Sequence, residues 1–305
     1  MRLVREDAID FEQYMQADSE AAYVLPAGNW LQEVLSRFRD GAHVWGARLP
    51  WAVVRDYVRI RPREVSIWAG INGHGKSLLL SHVVLNLIAQ GERACIASME
   101  MRPDATMYRM ARQALGRDAP TRERIEAFHT WADNDRLWLY DQQGTVKSDR
   151  IIALGRYVSQ KLGCTQLVVD SLMKCGIGVD DYNRQKAFID DLCALAKDTG
   201  LHVHLVAHSR KGRSEDDRIG KFDIKGASEI TDQADNVFTV WRNKPKERAT
   251  AQGDHSMAGD PDCVLSCDKQ RHGEWEGLVK LWFHRQSMQY TLRDVMPVGY
   301  EEMDL

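Results

Sequence analysis

The 305-residue chain lacks most of the marks of a specialised scaffold. It has six cysteines but no C-x-x-C pair. Cys95, Cys164, Cys175 and Cys193 sit in apolar strand-like or helix-like patterns, which points to buried reduced thiols rather than a disulfide framework. Cys263 and Cys267 lie four apart in a β-prone run and share a face, but no histidine spacing beside them suits a metal. No apolar run is long enough to cross a membrane, and the start Met-Arg-Leu-Val-Arg-Glu-Asp has no signal-peptide core; a cytoplasmic protein with no membrane partner is expected. The formal net charge of -3 excludes a global basic field. Any contact with nucleic acid must then come from local basic loops, or from a ring that concentrates them at its centre. Neither an internal repeat nor a low-complexity tract is visible.

What is present is a chain that is 44% hydrophobic and 28% charged, enough for one large core with a short extra segment. Strand-like runs at Val65–Ala69, Ala94–Ser98, Leu137–Tyr140, Gln166–Asp170 and His202–Ala207 alternate with amphipathic stretches. Such alternation predicts an α/β fold, a mostly parallel twisted sheet flanked by helices. Beyond residue 235 the pattern changes: Val237–Trp241, Cys263–Asp268, Leu278–Phe283 and Gln289–Leu292 follow one another through short connections, which predicts a C-terminal β-hairpin extension. Two polar stretches, Ser209 to Lys225 and Arg242 to Asp262, are expected as mobile loops. Near the start, Trp30, Leu31, Val34, Leu35 and Phe38 line one face of a short helix ending at Asp40-Gly41.

The most informative segment is Gly70-Ile71-Asn72-Gly73-His74-Gly75-Lys76-Ser77, a full match to the phosphate-binding pattern G-x-x-x-x-G-K-[ST]. An apolar strand precedes it and a helical pattern follows. A glycine loop between a strand and a helix N-terminus gathers backbone N–H groups and the helix dipole at one point, which suits a polyphosphate such as ATP. Lys76 is expected to reach the β- and γ-phosphates and the Ser77 hydroxyl to ligate Mg²⁺. A glycine turn that fits by accident would lack that flanking strand and helix.

Further candidates fall at strand ends. Ser98-Met99-Glu100 closes the second strand, where a carboxylate beside the phosphate loop can orient an attacking water; an ordinary helix-starting glutamate would read the same. Leu167-Val168-Val169-Asp170 supplies the aspartate expected in a Mg²⁺ shell. His208, at a strand tip, can sense the γ-phosphate, whereas His202 and His204 share one face as packed or surface histidines. Lys221 and Lys225 precede the run from Gly226 to Val237. Lys269 and Arg271 project to the same side of a strand end; the alternative is a charged hairpin tip.

In this order the motifs resemble the ring-shaped replicative helicases of DnaB and Twinkle type, phage members included, whose core is RecA-like. The resemblance covers about residues 30 to 292 and rests most on Asp232-Gln233-Ala234-Asp235-Asn236 followed by Lys269-x-Arg271. It implies an ATP-driven helicase moving 5′ to 3′ on single-stranded DNA as a hexameric ring. Glu100 then matches the catalytic glutamate, Asp170 the second metal-binding motif and His208 the γ-phosphate sensor, where DnaB proteins often carry glutamine. Lys221, Lys225, Gly226 and Ala227 fall in the central-channel loop that contacts DNA. Lys269 and Arg271 match the lysine and arginine finger inserted into the neighbouring subunit's ATP site, and the helix at Trp30 to Phe38 matches the linker helix. Primase and DNA polymerase are further candidate partners, and the location becomes a bacterial host's cytoplasm if the gene is a phage's.

The expected organisation is an arm over residues 1–28, a linker helix and lead-in over 29–62, the RecA-like ATPase domain over 63–295 and a tail over 296–305. With about 28 residues ahead of the linker helix, neither a primase domain nor a DnaB-like helical N-terminal domain is expected in this sequence. The acidic Glu215, Asp216 and Asp217 make the DNA-facing charge of the loop from Ser209 to Lys225 mixed. Two other readings stay open: a RecA-like recombinase that coats DNA as a filament, and an ATP-switched replication assembly factor without unwinding activity.

Overall fold

The computed structural model describes residues 2–4, 26–40, 45–178, 181–209, 216–218, 220, 223–224 and 227–300. Among these, one sheet of ten strands runs through the molecule. Its strands are β1 (Arg2–Val4), β4 (Val65–Gly70), β5 (Ala94–Ser98), β6 (Leu137–Tyr140), β7 (Gln166–Asp170), β8 (His202–His208), β9 (Asn236–Arg242), β10 (Cys263–Gln270), β11 (Gly277–His284) and β12 (Gln289–Thr291). A separate short pair, β2 (Ala47–Arg48) and β3 (Arg59–Ile60), belongs to the lead-in. The sheet order is β1-β6-β5-β7-β8-β4-β9-β10-β11-β12. Pairing is parallel from β1 through β9 and antiparallel from β9 to β12.

Side-chain alternation builds a core on each face. Trp68, Ile96, Val168, Val206 and Phe238 point to one face, against the helices Lys76–Ala89, Pro103–Leu115 and Arg122–Asp133. Ile67, Ala69, Cys95, Ala97, Val169 and Leu205 point to the other, against Ser148–Leu162 and Tyr182–Thr199. Strands covered on both faces read as continuous apolar runs, which is why the central ones were plain in the sequence.

The helix after the phosphate loop is apolar nearly all round because it is enclosed nearly all round. The sheet lies beneath it, and the lead-in lies over it: Arg48 O accepts bonds from Asn86 Nδ2 at 2.6 Å and Gln90 Nε2 at 2.8 Å. The C-terminal end closes one side, where Tyr300 Oη meets His82 Nε2 at 2.9 Å.

Several details differ from the sequence expectation. Arg2–Val4, expected within an arm without core pattern, forms an edge strand on β6. The stretch 242–262, expected as a loop, contains the helix Lys244–Ala251, capped by the Asn243 side chain, which accepts from Lys246 N. The strand bearing Glu100 is not beside the phosphate-loop strand; β7 and β8 lie between them. The early helix runs Leu31–Asp40, and its stripe of Leu31, Val34, Leu35 and Phe38 is exposed, Phe38 to 84%. No helix among the described residues is long and apolar enough to cross a membrane.

Candidate active site

The site forms where the parallel strands end. Strands β4, β5, β7 and β8 all deliver their C-terminal tips to one edge of the sheet, the usual ligand edge of open α/β sheets. The tips carry Gly70, Glu100, Asp170 and His208, and the last three border an open cleft of about 980 Å³. Its walls include Asn72, Gly73, Gly75, Lys76, Ser77, Arg109, Gln143, Lys174 and Arg242.

The phosphate loop needs its glycines for two distinct reasons. A Cβ on Gly70 would sit 2.6 Å from the Val240 carbonyl of the neighbouring β9, so only glycine lets the strand turn away there. Gly75 has φ 82°, in the left-handed region, and sets the start of the helix at Lys76. Ile71 and His74 turn inward and are buried. His74 Nδ1 accepts the Arg242 backbone N–H at 3.2 Å, and Arg242 Nη1 donates to Gly73 O at 3.2 Å, so β9 braces the loop from behind.

Lys76 is only 5% exposed and its ammonium folds back onto its own loop. It donates to Gly70 O at 2.9 Å and Ile71 O at 3.1 Å, and its third partner is His208 Nδ1 at 3.3 Å. Burial lowers its pKa to about 8, opposed by the negative charge of Asp170 and Glu100. Asp170, 6% exposed, is pushed upward by burial, and the Ser77 hydroxyl donating to it pulls the other way. Ser77 and Asp170 thus set two hard oxygen donors side by side, a fit for Mg²⁺. No cluster of three or more His, Cys, Asp or Glu able to hold an ion occurs among the described residues.

The β5, β7 and β8 tips are linked by side chains. Ser171 Oγ donates to Glu100 Oε1 at 2.8 Å and lies 3.3 Å from His208 Nε2. His208 Nε2 itself is 3.7 Å from Glu100 Oε1, close but beyond hydrogen-bond distance. His208 and the Ser171 hydroxyl hold the Glu100 carboxyl down to about 2 against the effect of its burial. It is therefore ionised at neutral pH and able to accept a proton or orient a water.

Lys269 and Arg271 are elsewhere. Both bind the C-terminal end of the helix Ala227–Gln233: Lys269 Nζ donates to Thr231 O at 2.7 Å and Asp232 O at 2.8 Å, and Arg271 Nη2 to Gln233 O at 2.7 Å. Cations suit a helix C-terminus, where unpaired carbonyls carry partial negative charge. Arg271 Nε also pairs with Asp235 Oδ1 at 2.8 Å, and Asp235 Oδ2 accepts from Val65 N at the start of β4. The phosphate loop leaves β4 at its other end, roughly 16 Å away at a strand rise of ~3.3 Å per residue. The pair therefore lies at the opposite edge of the sheet from its own cleft.

Of the residues expected to contact DNA, Lys221, Lys225 and Gly226 lie outside the described residues, and Ala227 opens the helix Ala227–Gln233. Sequence reasoning missed Arg109, Ser171, Lys174 and Arg242. Arg109 is mostly buried, with its pKa lowered by that burial despite the Asp170 charge nearby. A polar residue on the apolar face of its helix was the available signal.

With this geometry in view, the likenesses to known proteins are consistent. A DNA helicase/primase of Enterobacteria phage T3 is 23% identical over 207 residues, 60% of this chain and 36% of that protein. The chain thus spans about a third of that relative's length. A solved DnaB-like replicative helicase, studied with its primase interactions, superposes with a TM-score of 0.69 at 15% identity, over 88% of this chain and 68% of that one. A solved ATPase domain superposes with a TM-score of 0.72 at 15% identity, over 91% of this chain and the whole, 100%, of that one. These two show that the chain shares their fold. The family model described as an AAA domain matches residues 47–214, which is more than half of the sequence and includes the phosphate loop, Glu100, Asp170 and His208. The chain belongs to the AAA domain family.

Proposed function

We propose that the protein is an ATP-dependent replicative DNA helicase that works as a hexameric ring on single-stranded DNA, moving 5′ to 3′. The observation that carries the ring is the separation of Arg271 from its own cleft. A catalytic set that faces one edge of the sheet, with the finger at the other edge, is complete only when a second copy supplies Arg271. The exposed stripe of Leu31, Val34, Leu35 and Phe38 supports a contact of the same kind with an adjacent subunit.

The chemistry follows from the parts. Backbone N–H groups of residues 73 to 77 and the Lys76 ammonium bind the β- and γ-phosphates. Ser77 and Asp170 hold Mg²⁺, which neutralises phosphate charge when bound. Glu100 orients the attacking water and accepts its proton. Arg271 of a neighbouring copy, with Lys269, stabilises the charge on the transferred phosphoryl group. His208 begins the segment that runs to Lys225 and Gly226, so loss of the γ-phosphate is transmitted to the residues that grip DNA.

The single-stranded DNA substrate, the direction of movement, and contacts with primase and DNA polymerase are part of this proposal, as is a bacterial host's cytoplasm as the site of action. The experiment is an ATPase assay with and without single-stranded DNA, paired with strand displacement on a forked duplex carrying a 5′ tail. Stimulation by DNA together with displacement supports the helicase. Stimulation without displacement, with open filaments under the electron microscope, would favour a recombinase; ATP binding with neither would favour an assembly factor.

A further inference from the structure

Four side chains from four separate segments of the chain form one continuous line across the cleft: Lys76 Nζ to His208 Nδ1 at 3.3 Å, His208 Nε2 to Ser171 Oγ at 3.3 Å, and Ser171 Oγ to Glu100 Oε1 at 2.8 Å. Its direction follows from donor counting. An ammonium only donates, so His208 Nδ1 accepts. The ring's hydrogen is then on Nε2, which donates to Ser171 Oγ. The single hydroxyl proton of Ser171 is left for Glu100, which as a carboxylate only accepts. Every link has one donor and one acceptor, and reversing the histidine tautomer breaks the line at the lysine.

We propose that Ser171 is a positioning residue for Glu100, and that it carries the state of Lys76 and His208 to the carboxylate that orients the attacking water. Ser171 is suited to this by rigidity. Its side chain is fully buried, and its carbonyl accepts from Lys174 N at 2.9 Å, which fixes the backbone around the hydroxyl. Glu100, by contrast, has a half-exposed side chain and can swing into the cleft unless something holds it. By taking one lone pair of Oε1, the hydroxyl fixes the carboxylate's rotation and leaves Oε2 for water. Capture of the Lys76 ammonium by a γ-phosphate removes the donor from His208 Nδ1. The far end of the line is thereby altered at the moment substrate arrives.

The inference rests on the ATPase reading, with Glu100 orienting the water, and its test separates the two. The first readout needs no turnover. In full-length protein with ¹⁵N-labelled histidine, the His208 ring is expected as the Nε2–H tautomer. The Nε2 signal is expected to shift in Ser171→Ala, and the Nδ1 signal in Lys76→Ala. The second readout is kinetic, with Mg²⁺ and ATP. Ser171→Ala is expected to lower kcat by ~10- to 100-fold, the scale for losing an outer hydrogen-bond partner or misplacing a reacting group. KM should stay within about twofold, because uniform binding is untouched. In a Glu100→Gln background the same substitution should cost nothing more, since Ser171 acts through that carboxylate. If Ser171→Ala fails to fold, the nearly isosteric Ser171→Cys, a weaker donor, is expected to keep part of the turnover. A His208 ring in the Nδ1–H tautomer would overturn the proposal. So would full kcat in Ser171→Ala, or an equal loss with and without Glu100. Absence of hydrolysis by the wild type, with the tautomer as expected, would instead remove the ATPase reading and leave the hydrogen-bonded line standing.

Discussion

Arg271 is bound to Asp235, not to any phosphate-facing group of its own chain: Nε to Oδ1 is 2.8 Å, and Asp235 in turn ties the start of β4 through Val65 N. Lys269 is bound to the same helix end. Both cations are therefore held at the exit of the helix that follows Lys225 and Gly226. In the proposed ring, a displacement of that helix by DNA would move Arg271, the finger proposed to serve the next subunit.

Lys76→Ala is expected to abolish ATP hydrolysis and to weaken nucleotide binding. In the proposed reading the Lys76 ammonium, held on its loop by Gly70 O and Ile71 O, is the loop's own cation for the phosphates. Equilibrium binding of a fluorescent ATP analogue, alongside an ATPase assay, checks both parts.

Glu100→Gln should still bind ATP and DNA yet turn over ~10²- to 10⁴-fold more slowly, the usual contribution of a positioned general base. The amide keeps the shape and loses the proton acceptor. Normal single-turnover rates in this variant would remove Glu100 from the chemistry.

Lys225→Ala should weaken binding to single-stranded DNA and reduce the slope of log affinity against log salt by roughly one per lost phosphate contact per subunit. Hydrolysis without DNA should survive. A salt titration followed by fluorescence anisotropy measures the slope; an unchanged slope at intact affinity puts the DNA contact elsewhere.

The fold adds a pH dependence. His82, His202 and His204 are buried, and burial lowers their pKa values, to about 3 for His82 and about 4 for His202. Each must be neutral in the folded state but gains a proton once unfolded. Their contribution is present above the unfolded value of ~6.5 and is lost as pH falls below it. Glu64, raised to about 7 chiefly by burial, acts in the opposite sense, losing stability as pH rises through that value. Comparison with His82→Gln cancels the other groups. Between pH 6 and pH 4.5 the wild type should lose ~1.4 kcal/mol per pH unit more than this variant, as read by urea unfolding.

Much of this could be read in the sequence. Val65–Gly70, Gln166–Asp170 and the phosphate loop were evident because a strand buried on both faces is a continuous apolar run and the loop is a fixed pattern. Arg2–Val4 was missed because three residues show no period. The helix Lys244–Ala251 was missed because it buries no residue, so its pattern resembles a loop. The order of the sheet is a tertiary fact: adjacency in sequence suggested that Glu100 stands beside the phosphate loop, while two strands intervene and Ser171 and His208 span the gap. Ser171 and Arg242 carry no signal in isolation, since serines and arginines at strand ends are common.

Mixing two inactive variants tests the shared active site directly. Arg271→Ala should bind ATP nearly normally and hydrolyse it ~10³- to 10⁵-fold more slowly, the measured scale of an arginine finger. Combined with Lys76→Ala in the presence of single-stranded DNA, it should regain partial ATPase activity, because only the mixture forms junctions with one intact phosphate loop and one intact finger. The recovery should vanish on dilution below the assembly concentration. An Arg271→Ala protein that stays active alone, and a mixture that gives only the average of its two components, would contradict the shared site and the ring built on it.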